Sequence, residues 1–93
     1  YVFQAETQTL KIEQNERRLT QRECEVLKLL IQNKNKILKR EDALIAIWGA
    51  NDYFYGRSFD VFITKLRKHL KADPSIEIQT IHGKGFKFLV KAT

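Results

Sequence analysis

The sequence predicts a small α+β domain with helices in its middle and antiparallel strands at both ends. Three observations carry this: short β-rich pieces at the start, three amphipathic helical patterns in succession, and a final stretch of alternating apolar residues broken by glycines.

The opening "YVFQAETQTLKIEQNERRLT" holds β-rich pieces at 2–3, 9–12 and 17–19, with Gln14 and Asn15 placed for a turn, and reads as a small antiparallel sheet. "TQRE" at 20–23 then opens a helix through a capping box. The Thr20 hydroxyl can accept from the Glu23 backbone N–H while the Glu23 carboxylate reaches back. Cys24, Leu27, Leu30 and Ile31 form the apolar face of this helix, and "NKNK" ends it. A second helix is expected at about 40–48, with Leu44, Ile47 and Trp48 on one side and Gly49 supplying a left-handed terminal turn. Lys39 stands at its start, where no side-chain oxygen can cap.

"GANDYFYG" at 49–56 reads as a glycine-bounded loop whose three aromatics either tuck a ring into the core or form a contact surface. A third helix spans 57–71 and stops before Asp73-Pro74. Residues 76–90, "IEIQTIHGKGFKFLV", alternate at Ile76 and Ile78 and again at Phe86, Phe88 and Val90, giving a hairpin with a basic "HGKG" tip. This order is a winged helix-turn-helix: N-terminal antiparallel sheet, three helices, and a C-terminal β-hairpin wing.

Composition narrows the function classes. A chain of 93 residues makes one domain, and 43% apolar with 11% aromatic residues suits a globular core. The single cysteine, Cys24, cannot form an internal disulfide and sits in a helical pattern, which fits a buried small hydrophobe in a reducing cytoplasm. No apolar run approaches the roughly 18 residues of a membrane span, and "YVFQAETQ" lacks the regions of a secretory signal. With no methionine at all, the chain is expected to be a fragment of a larger protein. Two histidines and one cysteine without C-x-x-C or H-x-x-x-H spacing offer no metal site, and no nucleophile, base and orienting group stand together, so neither enzyme nor cofactor is expected.

The net charge of +6 is unevenly distributed. Residues 1–56 carry 9 Lys+Arg against 8 Asp+Glu, whereas residues 57–93 carry 8 against 3. A basic second half implies a polyanionic partner, whether nucleic acid, an acidic protein surface or anionic lipid.

The third helix separates its chemistry by face. At roughly 100° per residue, Phe59, Ile63, Leu66 and Leu70 form a buried stripe, while Arg57, Val61, Thr64, Lys65 and Lys68 share the opposite side. A solvated face needs no valine. Long cations for phosphates and guanine acceptors, a short hydroxyl, and a small apolar group for the thymine methyl are what a major groove receives. Val61 beside Thr64 and Lys65 matches that mixture. In the hairpin, His82 and Lys84 flank Gly83, with Gly85 following, so the tip can turn tightly and bring a cation to a minor groove or the phosphate beside it.

In "RSFDVFITKLRKHL" followed by "IQTIHGKGFKFLV", and back through "LTQRECEVLKLL" and "LKREDALIAIWG", the chain resembles the OmpR/PhoB family of bacterial response-regulator effector domains. The wording "NDYFYGRSFDVFITKLRKHL" is most similar to members from the Bacteroides group. The resemblance implies a four-stranded N-terminal sheet, three helices and a wing that bind double-stranded DNA and regulate transcription. It further implies a phosphorylatable receiver domain upstream of Tyr1, a cognate sensor kinase, and a monomer that dimerises on tandem half-sites. By position it assigns DNA contacts to Arg57, Thr64, Lys65 and Arg67, and approach to bases to Val61 and Phe62. Trp48 falls where an indole N–H reaches a phosphate, Thr80 and His82 match wing contacts, and 49–56 corresponds to a segment that touches RNA polymerase in some members. Two departures stand out: His82 replaces a common wing arginine, and Phe62 a common histidine. Two other readings remain open, a protein-interaction module docking an acidic partner and a DNA-binding domain tethered to a membrane sensor.

Overall fold

The computed structural model describes residues 1–91. Among these, the chain runs β1 (Val2–Gln4), β2 (Thr9–Ile12), β3 (Asn15–Arg18), α1 (Gln21–Gln32), β4 (Ile37–Lys39), α2 (Arg40–Trp48), α3 (Tyr53–Leu70), β5 (Ile76–Ile81) and β6 (Gly85–Val90). The strands form two antiparallel sheets, ordered β1-β2-β3 and β4-β6-β5. Apolar residues of both sheets and all three helices meet in a single core.

The N-terminal sheet has three strands. The four strands that the resemblance implies there are not formed; β4, a strand the sequence reading did not locate, pairs with β6 at the other end of the chain, Leu38 opposite Phe86. The turn after α1 explains this pairing. Asn35, at φ 62°, donates its backbone N–H to the Phe88 carbonyl at 2.8 Å, and its side-chain oxygen accepts from the Val90 N–H at 2.9 Å. The chain is thereby clamped to the β6 edge just before β4 begins. In the first sheet the turn lies one residue earlier than expected: Ile12 pairs with Asn15, and Glu13 takes the positive φ of 56°. The third strand is therefore 15–18 rather than 17–19, and its four residues are all exposed.

The capping box at α1 is present as expected, with Thr20 Oγ1 accepting from the Glu23 N–H at 3.2 Å and Glu23 Oε1 from the Thr20 N–H at 3.0 Å. Cys24, Leu27 and Leu30 are buried; Ile31 is only half-buried, while Val26, on the flank of the expected stripe, is wholly enclosed. Lys39 provides no cap for α2, and Gly49 ends that helix at φ 82°.

Residues 49–56 are not a loop throughout. Asp52 accepts from the Phe54 N–H at 2.8 Å and starts α3 at Tyr53, so only 49–52 connect the two helices. The three aromatics thus form the first turn of the last helix. Gly56, buried within that helix, lies beneath the Arg40 guanidinium, which pairs with Asp60 at 2.8 Å. The helix ends at Leu70, one residue short of the expected end.

Gly85 has a different reason from the one its place in the hairpin suggested. It is buried, and a Cβ there would strike the Leu38 carbonyl oxygen and lie 2.9 Å from the Lys39 Cα. The glycine lets β4 approach β6; the turn itself is made by Gly83, at φ 74°.

Two consequences are measurable. Gly85→Ala forces β4 away from β6 and should destabilise the domain by about 1–3 kcal/mol, read as a lower urea midpoint. Glu23 concerns pH: burial pushes its carboxyl up, but bonds from the Thr20 backbone and hydroxyl and from the His69 ring outweigh this and hold it below its ordinary value of 4.5. A depressed folded-state value means that the carboxylate stabilises the fold above that ordinary value and ceases to do so as pH falls through the lower one. Glu23→Gln should therefore weaken the protein at neutral pH and make its unfolding free energy change less with acidification, as denaturant titrations at neutral pH and about pH 3 would record.

Candidate nucleic-acid interface

The buried stripe of α3 consists of Phe59, Ile63, Leu66 and Leu70, each at most 4% exposed. Its rotation is thereby determined, and the opposite side must face solvent. Arg57, Thr64, Lys65 and Lys68 are exposed there, and Val61 stands among them at 52% exposure. Thr64 Oγ1 donates to the Asp60 carbonyl at 3.0 Å, one turn back, which orients the hydroxyl and leaves its oxygen able to accept.

Arg67 occupies the flank of this face rather than its centre. Its Nε donates to the Ile78 carbonyl at 2.9 Å and its Nη2 to Thr80 Oγ1 at 2.6 Å, both on β5. The guanidinium therefore ties the last helix to the wing and sets the angle between them. Thr80 accepts that bond and retains its own hydroxyl proton for another partner. At the tip His82 and Lys84 are exposed, the turn being closed by the Lys84 N–H on the Ile81 carbonyl at 3.0 Å.

Phe62 and Trp48 behave differently from the exposed set. Both are half-buried, their rings stacked at 6.3 Å between centroids and 25° between planes. Tyr55 stacks on the same indole at 5.6 Å and 6°, and the Arg22 guanidinium lies 5.3 Å from its centroid. The structure thus places Phe62 in an aromatic cluster at the edge of the face, with much of its ring turned toward Trp48.

One residue joins this surface that the sequence reading passed over. Arg40, at the first position of α2, lines a groove of about 310 Å³ with Arg57 and Asp60, and another of about 320 Å³ with Thr80, Gly83 and Lys84. It bridges the exposed face of α3 and the wing. Its sequence signal was only a cation at a helix start, where macrodipole reasoning favours acids such as Glu41 and Asp42.

Candidate residues up to 36 positions apart, from Trp48 to Lys84, are thus linked in space: a helix face with cations around an apolar spot, joined through Arg40 and Arg67 to a hairpin with a basic tip. Among the described residues no group of acidic, histidine and cysteine side chains is placed to hold a metal ion, and no helix is long and apolar enough to cross a membrane.

Comparison with known proteins agrees with this geometry. Residues 14–88 match the family model described as "Transcriptional regulatory protein, C terminal". Transcriptional regulatory protein RprY of Bacteroides fragilis (strain YCH46) is 51% identical over 89 residues, covering 96% of this chain and 38% of RprY. The chain thus spans little more than a third of that relative's length. The crystal structure of the DNA-binding domain of Bacillus subtilis CssR aligns with a TM-score of 0.64 at 31% identity, over 81% of this chain and 82% of that one. The DNA-binding domain of E. coli CadC reaches a TM-score of 0.79 at 20% identity, over 92% and 82% of the two chains, a likeness of fold. With its winged helix, its family match and its Bacteroides relative all in agreement, the chain belongs to the family of C-terminal domains of transcriptional regulatory proteins, of the OmpR/PhoB type.

Proposed function

We propose that this chain binds double-stranded DNA with sequence preference and regulates transcription as the output domain of a two-component response regulator. The observation that carries this reading is Val61, 52% exposed amid Arg57, Thr64, Lys65 and Lys68 on a helix whose other side is buried. Left in water, an apolar side chain gains nothing; against a thymine methyl it is desolvated in the midst of cations that neutralise phosphates.

In this reading α3 enters the major groove with Val61, Thr64 and Lys65 toward base edges, and Arg57 and Lys68 on phosphates or guanine acceptors. The accessible edge of Phe62 packs on a sugar or thymine methyl. The wing presents Thr80, His82 and Lys84 to the adjacent minor groove or backbone, with Arg67 holding it at the required angle. Arg40 and the Trp48 indole N–H lie where phosphates on the near strand would pass.

The family likeness supports finer proposals: a receiver domain and sensor kinase controlling the domain, action in the cytoplasm, and dimerisation on tandem half-sites about one helical turn apart. It also supports a contact between RNA polymerase and 49–56, where Tyr53 and Phe54 project at 72% and 74% exposure. The same two rings favour the rival in which the domain serves only to dock a protein.

Selection of duplexes from a random pool tests the main reading. Wild-type protein should retain a defined subset, with a salt dependence whose slope grows by roughly 0.9 for each phosphate neutralised. Lys65→Ala should lose about 1–3 kcal/mol on a selected duplex and relax preference at one position if Lys65 meets a base. Equal losses on selected and scrambled duplexes would reassign it to phosphate, and no loss on either would remove it from the site. If the wild-type protein retains no subset at all, DNA recognition is wrong and the docking rival stands.

A further inference from the structure

The last helix has two flanks, and only one is occupied by the wing. On the other, the C-terminal half of α3 faces the N-terminal sheet across an open cleft of about 850 Å³. Lys65, Lys68 and His69 line it from the helix, Ala72 from the turn that follows, and Arg17 and Arg18 from β3. In the sheet register Arg17 lies opposite Leu10 and Asn15 opposite Ile12. Cross-strand partners share a face, and Leu10 and Ile12 are buried toward the helices, so Arg17 extends from the inner, helix-facing side at the exposed sheet edge, while Arg18, opposite Thr9, leaves the strand from the outer face and borders the cleft at its rim.

Charge in the cleft is unbalanced. Four cations face two carboxylates, Glu16 and Glu23. Glu23 is already engaged by Thr20 and by the His69 ring at 3.3 Å. Among the described residues no ion pair is formed by Arg17, Arg18, Lys65 or Lys68. An exposed strand that carries two adjacent arginines, set against two lysines of a neighbouring helix, concentrates positive potential on this side of the molecule and favours an anion there.

Resting on the proposed DNA reading, we infer that this cleft is a second phosphate-binding site, in which Arg17 and Arg18 hold the duplex backbone on the side of α3 opposite the wing. Lys65 and Lys68 are common to the outer face of the helix and to the cleft. A duplex that receives the helix therefore brings the phosphates bordering its groove toward β3. The N-terminal sheet then acts as a counterpart of the wing: two sheets flank one helix, and each touches backbone on its own side. An acidic polypeptide would meet the same charges, but it has no reason to be positioned by α3.

The test uses a duplex selected by the wild-type protein, together with versions shortened at one end or the other. The double variant Arg17→Ala/Arg18→Ala, with its thermal midpoint checked against wild type, should bind the full duplex about 10- to 30-fold more weakly near physiological salt. The slope of log K against log salt should be smaller in magnitude by about 2, as expected for two lost phosphate contacts. Sequence preference should be unchanged. On the duplex shortened on the β3 side, wild type and variant should bind alike, and Arg17→Lys/Arg18→Lys should retain most of the slope. Wild-type affinity and slope in the alanine variant overturn the second site while leaving recognition by α3 intact. A deficit of equal size on every duplex length also overturns it, since a long-range field would then account for the loss. Should wild-type protein bind no duplex, the underlying DNA reading fails and this inference with it.

Discussion

Phe59 sits where the three structural layers of this domain meet. It is fully enclosed, its ring edge-on to Phe86 of β6 at 5.4 Å and to Trp48 of α2 at 6.5 Å. A single side chain thus joins the last helix to the helix before it and to the wing sheet. Aromatic pairs at such angles add about 0.5–1.5 kcal/mol each beyond the area they bury, and their geometry resists rotation of the helix about its axis. With Ile63, Leu66 and Leu70 continuing the stripe, the helix has one orientation in which its apolar atoms leave water. The exposure of Val61 and its cationic neighbours follows from that orientation and requires no separate device.

The wing depends on the same constraint. Phe86 and Phe88 turn β6 into the core, β4 runs along its free edge, and Gly85 makes the approach of those two strands possible. Arg67 completes the attachment from outside, so the hairpin tip is held near the helix although His82, Gly83 and Lys84 are themselves exposed. A wing anchored at its base, with an exposed basic tip, is suited to backbone contact, which fixes register rather than reading sequence. The opposite flank follows a looser plan: a short sheet with an exposed edge strand and an open cleft, held to the helices by Leu10, Ile12 and Leu19.

The features that the sequence conveyed well are those with short range. The Thr20 to Glu23 capping box, the left-handed Gly49, and the four-residue stripe of α3 each lie within a few turns of chain, where backbone geometry converts spacing directly into position. What it conveyed poorly involved partners distant in sequence. β4 is three residues long, shows no alternation of its own, and exists because a strand about fifty positions later accepts it. Gly85 looked like a turn residue because its neighbour was one, whereas its real requirement is the Leu38 carbonyl. The loop assigned to 49–56 failed on a local point: Asp52 is an effective cap, and the aromatics tolerate a first helical turn in which Tyr53 and Phe54 remain in solvent while Tyr55 stacks on Trp48.

The same distinction holds for the candidate site. From residue order alone came the winged-helix class, the basic character of the second half, and the identity of the face bearing Arg57, Val61, Thr64, Lys65 and Lys68, because a helix of known period sorts its own residues. Only tertiary structure decided that Arg67 belongs to the wing as much as to the helix, that Phe62 turns toward Trp48, that Arg40 bridges two grooves, and that Arg17 and Arg18 stand across a cleft from Lys65 and Lys68. Hydrogen bonds and ring contacts between residues many positions apart depend on where whole elements dock, and docking is settled by how the apolar faces of the three helices and of the strands that carry one fill a single core together.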